Sequence, residues 1–161
     1  MSPLICLFMT VRIITTLCLL CQDRKILLGM KKRGFGKDRW NGFGGKVLPG
    51  EDLVQTAKRE MSEECGVQAV KLERLGHLIF EYPAQNEIVE THIFQVLDFS
   101  GEPRESEEMK PRWFKFAEIP YTQMWPDDRF WLPLFLAGKN FCGRFAFNKD
   151  FEIAEHELLE T

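Results

Sequence analysis

Apolar residues fall along this chain in short alternating or β-branched runs, and only two stretches carry them at helical spacing. "VRIITTLCLLC" and "KILLGM", separated by the polar "QDR", have the pattern of a β-hairpin. Strands are expected near 10–21, 25–30, 74–82, 90–99, 112–116 and 143–148, the last from the alternation in "GRFAFN". Helices are expected near 52–65 and 128–138, and Gly-rich turns such as "GFGGKVLPG" punctuate the rest. Strands and helices mix without regular βαβ alternation, which predicts an α+β fold, an α/β/α sandwich with a mixed β-sheet between helices. No repeat or low-complexity linker divides the chain, so residues 10–161 read as one domain and residues 1–9 as an extension, flexible or targeting.

The apolar stretch 3–21 could pass for a signal peptide or a short membrane span. No basic segment precedes it, Arg12 and three threonines interrupt it, and no small-residue cleavage site closes it, so the strand reading is preferred. Across 161 residues the net charge is -3, which supplies no basic field for a polymeric nucleic acid. A small phosphate ligand stays open, because metal ions can bring positive charge locally. The five cysteines include the pair Cys18 and Cys21, which face opposite sides of a strand. A zinc site is not expected, and buried, reduced thiols in an intracellular protein are; a cytoplasmic location is expected, with nuclear or mitochondrial locations open in addition. His77, His92 and His156 share no ligand spacing and are given no role.

The helix near 52–65 carries more acid than docking requires. Asp52 suits its N-cap and Gly66 its C-terminal stop, while Leu53, Val54, Ala57, Met61 and Cys65 share an apolar face. Glu60, Glu63 and Glu64 are related by i,i+3 and i,i+4, so their side chains are expected to converge beside that face. A solvated flank with Arg59 paired to Glu63 is the plain alternative. Against it, three like charges at a core edge call for a cation, and clustered carboxylates are what Mg²⁺ prefers. Gly44, Gly45 and Gly50 surround Lys46 just ahead of the helix, allowing close backbone approach to a metal or phosphate.

Gly45, Glu51, Arg59-Glu60, Met61, Glu63-Glu64, Gly66 and Val67 stand at the spacings of the Nudix box, and the chain resembles that family over this whole 23-residue pattern. The resemblance implies the Nudix fold and hydrolysis of a nucleoside diphosphate linked to another group, with Mg²⁺ or Mn²⁺. Glu60, Glu63 and Glu64 would be metal ligands with the Gly45 carbonyl, and Glu51 and Arg59 would order loop and carboxylates. Either Glu64 or Glu63 could take the proton of the attacking water.

The flanks "GMKKRGFGKDRWNGFGGK", "ESEEMKPRWF" and "MWPDDRFWLPL" resemble the branch of the family that hydrolyses oxidised purine nucleoside triphosphates to monophosphate and pyrophosphate. That resemblance implies that Asn41 bonds the base, Trp125 stacks on it, and Asp127 and Asp128 meet its Watson–Crick edge. Phe35, Phe80 and Phe147 would be pocket walls, Thr16 its floor, Lys31 a residue near its entrance, and Glu108 a further metal carboxylate. A small nucleotide partner and a monomer are expected, with no membrane partner. Two carboxylates in contact beside an indole cannot both ionise easily, so a shared proton is expected; moving it would let one pocket read different donor and acceptor patterns. The plain alternative for "PDD" is a helix N-cap. For Phe80 and Phe147 it is core packing, and for "KKRGFGKDR" a solvated loop.

Overall fold

The computed structural model describes residues 9–161. Most of the N-terminal extension therefore lies outside the described residues. The run that could have been a membrane segment continues as strand β1 (Val11–Gln22), and no helix among the described residues is long and apolar enough to cross a membrane.

Ten further strands and α-helices follow β1: β2 (Lys25–Lys31), β3 (Trp40–Asn41), β4 (Phe43–Lys46), α1 (Leu53–Cys65), β5 (Gln68–Tyr82), β6 (Glu87–Ser100), β7 (Met109–Lys115), α2 (Asp128–Leu136), β8 (Phe141–Phe147) and β9 (Ile153–Glu160). The strands form one mixed sheet in the order β3-β2-β1-β6-β5-β8-β9, with β4 paired to β1 and β7 to β2. β1 runs parallel to β6 and β5 parallel to β8; the other pairs are antiparallel.

Period-two alternation gives this sheet two apolar faces. Cys18, Leu20, Leu27, Phe94 and Val96 pack with Ala57, Met61 and Cys65 of α1. Leu19, Ile26, Leu28 and Ile93 pack on the other face with Trp131, Leu132 and Phe135 of α2. A sheet covered on both faces explains why β1 is buried at three consecutive residues rather than at alternate ones. Cys18 and Cys21 do face opposite ways, Cys18 into the first cluster and Cys21 against the second. All four described cysteines are free, though Cys21 and Cys142 are only half-buried.

Helix α1 begins in a capping box. The Gln55 N–H donates to Asp52 Oδ1 at 2.8 Å and the Asp52 N–H to Gln55 Oε1 at 2.9 Å. It ends where Gly66 turns left-handed at φ 76°, a conformation that costs glycine little. Met61 is fully buried at its centre, and truncation to Ala would cost about 2–5 kcal/mol. Val54 is a correction in burial only: it is 42% exposed. At 100° per residue it points the same way as Met61, so its exposure comes from its place in the first turn of the helix and not from its angle.

Three strands were not expected. β3 and β4 lie in the stretch read as Gly-rich turns, where Gly44 and Gly45 pair with Leu17 and Thr16. A Cβ on Gly44 would collide with the Thr16 carbonyl, so this strand needs glycine because it lies so close to β1. β9 is an edge strand, acidic and largely exposed, with little periodic signal.

Candidate active site

The β1–β4 pairing sets backbone atoms of the Gly44-Gly45 strand beneath the C-terminal half of α1. The Gly44 N–H donates to Glu64 Oε1 at 2.9 Å, and Glu64 is buried. Glu60 lies against Gly45 so closely that a Cβ there would sit 2.5 Å from Glu60 Oε1. Arg59 spans the approach, donating to Glu51 Oε2 at 2.7 Å, Glu60 Oε1 at 2.8 Å and Glu63 Oε2 at 3.3 Å. The Arg59–Glu63 pair of the plain reading is thus present, but Arg59 also joins the glycine loop to the helix. Its hydrogen bonds hold the Glu51 carboxyl below the usual range.

The expected convergence of all three glutamates is only partial. Glu63 is 60% exposed and points to solvent, while Glu64 turns inward to Gly44. Burial pushes Glu64 up to about 8; the Gly44 N–H and Lys31 oppose this, and the charges of Glu60 and Glu108 add to it. Glu108 is half-exposed and pairs with Arg33 at 3.5 Å. Hard oxygen donors with unmet negative charge, above a strand that leaves no room for a Cβ, fit a divalent cation.

A cavity of about 600 Å³ opens from this strand toward α2. Thr16, Lys31, Gly45, Asn41, Asp127 and Asp128 all line it, so one space joins the carboxylate helix to the acid pair. Phe35, Phe80 and Trp125 line it as well. Phe147 does not: it lies behind the wall, stacked on Tyr82 with ring centroids 5.2 Å apart, and packs in the core on the α2 side. The resemblance alone implied that it is a wall; its ring packs against Tyr82, which does line the cavity. The Thr16 Oγ1 is buried with no hydrogen-bond partner in the protein.

Asp127 and Asp128 are both buried, and they divide one problem between them. Asp127 Oδ2 accepts from Trp131 Nε1 at 2.8 Å, and burial raises its pKa to about 6, opposed by that bond. Asp128 is pushed well above the carboxylate range by burial, then by the Asp127 charge and the hydrogen bond between the pair. Burial and mutual repulsion therefore favour one shared proton on the pair, with Asp128 the more strongly raised of the two. The Oδ2 of Asp128 is buried with no partner. The N-cap reading holds in position only. Asp127 stands at the N-cap of α2 and Asp128 in its first turn, but the Asp127 side chain makes no capping bond and accepts from Trp131 instead.

Asn41 Oδ1 accepts from the Gly42 N–H at 2.8 Å, so the donor it offers the cavity is Nδ2. Phe35 is 63% exposed and stacks on Trp125 with centroids 5.0 Å apart. Arg39, in a stretch whose plain reading is a solvated loop, is a brace: its guanidinium lies 4.4 Å from the Trp125 ring centroid and donates to the Met124 carbonyl at 3.0 Å. Tyr82, Gln85, Glu87 and Phe151 also line the cavity and were not assigned. Only Tyr82 had a signal, as an aromatic two residues beyond Phe80 on the same strand face.

His77 and His92, given no role from spacing, face each other across β5 and β6 with rings stacked at 4.6 Å. With Glu90 they form the only His, Cys, Asp or Glu group of three or more among the described residues whose ligand atoms lie within 4.8 Å of one another. Arg74 Nη1 lies 3.2 Å from His92 Nδ1, and a guanidinium can only donate, so the neutral ring keeps its proton on Nε2, facing Glu90 Oε1 at 3.4 Å. Arg12 takes the other Glu90 oxygen at 2.9 Å. The group is a satisfied hydrogen-bond network between two guanidiniums, which opposes a cation there.

The family model described as NUDIX domain matches residues 11–135. The oxidized purine nucleoside triphosphate hydrolase of Mus musculus is 48% identical over 146 residues, covering 91% of this chain and 94% of that protein. The protein of the same description from Danio rerio is equally similar, 48% over 146 residues. Among solved structures, the MutT protein of Bacillus halodurans superposes with a TM-score of 0.81 at 26% identity, covering 91% of this chain and 97% of that one. A glycine strand under a carboxylate helix, a family match over most of the chain and full-length relatives near half identity agree: the chain belongs to the Nudix family of hydrolases.

Proposed function

We propose that this protein hydrolyses oxidised purine nucleoside triphosphates, 8-oxo-dGTP and 2-oxo-dATP among them, to monophosphate and pyrophosphate, and so keeps miscoding nucleotides from polymerases. The observation that carries the reading is the cavity that joins the carboxylate helix to the proton-sharing pair Asp127 and Asp128. Similarity to relatives described as oxidized purine nucleoside triphosphate hydrolases supports it.

Hydrolases of this family need a divalent metal ion, and Mg²⁺ is the proposed one, held by Glu60, Glu63, Glu64, the Gly45 carbonyl and Glu108. When bound, such an ion neutralises phosphate charge and lowers the pKa of water. The chain's own residues do the rest. Arg59 holds Glu60 and ties it to Glu51 on the loop, so the carboxylates are ordered before substrate arrives. Glu64, held against the Gly44 N–H, or the exposed Glu63 would take the proton of the water once the cation offsets their charge. The water oxygen bonds to phosphorus as the bridging P–O bond between α and β breaks, and pyrophosphate leaves. At the other end of the cavity Asp127 accepts and protonated Asp128 donates, with Asn41 Nδ2 as a further donor. Moving the proton between the acids would exchange these roles and admit bases with different edges. Trp125, braced by Arg39, presents a stacking surface. We also propose that the protein acts as a cytoplasmic monomer on small nucleotides rather than on polymeric nucleic acid.

Steady-state hydrolysis of 8-oxo-dGTP, 2-oxo-dATP and dGTP, with and without Mg²⁺ and beside Glu64→Gln, tests the reading. Metal-dependent preference for the oxidised purines, lost in the variant, is expected. Equal turnover of dGTP would keep the hydrolase and remove the role of the acid pair.

A further inference from the structure

Strands β8 and β9 are joined by residues 148–152, a turn built around one side chain. The Phe151 N–H donates to the Asn148 carbonyl at 3.0 Å, and the Asn148 N–H to the Glu152 carbonyl at 2.9 Å. Asn148 Oδ1 accepts from the N–H groups of Asp150 and Glu152 at 2.9 and 3.0 Å, and its Nδ2 donates to Glu152 Oε2 at 3.1 Å. This is a β-turn followed by one left-handed residue, a position that hairpins normally give to glycine. Here it is Phe151, at φ 59°. Among the described residues, five others than glycine have positive φ; three are Asp or Asn, which tolerate that region, and Phe151 is the only aromatic.

The strain has no counterpart in core packing. Phe151 is half-buried and belongs to neither hydrophobic cluster. Its ring lines the cavity instead, with centroids 5.5 Å from Phe35, 6.1 Å from Tyr82 and 6.1 Å from Trp125. Strained residues persist where their surroundings over-determine them, and they gather at ligand clamps.

We propose that Phe151 is a base-contacting wall, carried into the cavity by the Asn148 turn, and that it selects for the ring area of the nucleobase rather than for its hydrogen-bonding edge; this rests on the reaction proposed above. A phenyl ring has no donor or acceptor, so it cannot distinguish one oxidised purine from another. It does distinguish a two-ring base from a one-ring base, which offers less surface to cover. Edge reading stays with Asp127, Asp128 and Asn41. Asn148 is a positioning residue: it touches no ligand and acts by holding Phe151.

Phe151→Ala and Phe151→Gly are measured against wild type for kinetics, thermal melting and binding of 8-oxo-dGMP by titration calorimetry. Both variants are expected to raise KM for 8-oxo-dGTP and 2-oxo-dATP together, by about ten-fold, the size of one aromatic–base contact. kcat and the ratio of the two substrates stay near wild type, while preference for purine over pyrimidine triphosphates falls. Phe151→Gly is expected to melt above Phe151→Ala, because glycine relieves the left-handed backbone. Asn148→Ala should raise KM less, and Asn148→Asp, which keeps the accepting oxygen, should restore it. Unchanged KM and unchanged monophosphate binding in Phe151→Ala would overturn the wall while the reaction stands. If wild type binds 8-oxo-dGMP but hydrolyses no oxidised triphosphate, the reaction falls, and weaker binding by Phe151→Ala still upholds the wall. Absence of both binding and hydrolysis in wild type overturns both.

Discussion

Helix α1 and the start of α2 both bury carboxylates, and they offset the cost in opposite ways. On α1, Glu64 sits inside the protein with Glu60 beside it, and Arg59 compensates Glu60 and Glu51 rather than Glu64. The remaining charge is fit for an incoming cation. On α2, Asp127 and Asp128 are equally buried, but Trp131 and a shared proton do the compensating from within. One site leaves negative charge that a cation would meet, and the other stays half-neutral, with a donor beside an acceptor. Burial of an acid by itself therefore says nothing about its role; what neutralises it does.

The largest break in this contrast is expected from Glu64→Gln. Turnover should fall about 10²–10⁴-fold, the range for losing a proton acceptor. The metal-free variant should nevertheless melt higher. The Glu64 pKa is raised from 4.5 to about 8 on folding, so its contribution to stability is lost as pH rises through 8. Melting without metal at pH 5 and pH 8 checks this, and the gain should be greater at pH 8. A variant that melts lower at both pH values would show that the Glu64 charge is already compensated.

Next in size, Asp127→Asn and Asp128→Asn should alter 8-oxo-dGTP and 2-oxo-dATP hydrolysis unequally, their kcat/KM ratios moving about ten-fold apart, the value of one well-placed hydrogen bond. Equal losses from both variants would remove the proton exchange. Arg59→Ala should cost about 10–100-fold in apparent metal affinity, since it frees the carboxylates it orders, with little change in preference between bases. Metal titration of the activity reads it, and a change in base preference would mean that the two sites are not separate.

The smallest effect expected is on stability against pH. The pKa values of Asp127 and Asp128 are both raised on folding, so their contribution is fully present below about pH 4 and is lost as pH rises through 6 and above. Tm should fall over that window, and Asp128→Asn should flatten the fall. A slope unchanged in the variant would place the titration elsewhere.

Much of the catalytic end was legible because its information is local. Spacings of three and four residues bring Glu60, Glu63 and Glu64 to one side of α1, and the Asp52–Gln55 box and Gly66 mark its ends within single turns. The base end was legible only through resemblance, and its details were not. Nothing near Arg39 in the chain shows that it braces Trp125, 86 residues on. Phe147, a wall by resemblance, packs instead against Tyr82, which does line the cavity. Phe151 occupies a position where glycine is expected, which no propensity foresees.

The sequence by itself determined the mixed α+β class, the two-faced core and the carboxylate helix, because periodicity and short spacings act within one element; the family's chemistry came through resemblance. The tertiary structure decided which glutamate is buried, that Asp127 and Asp128 are buried side by side, that His77 and His92 form a closed network with Glu90, and that Phe151 faces the cavity. Each of these depends on desolvation or on a partner from a distant strand. Both arise only when the sheet is assembled.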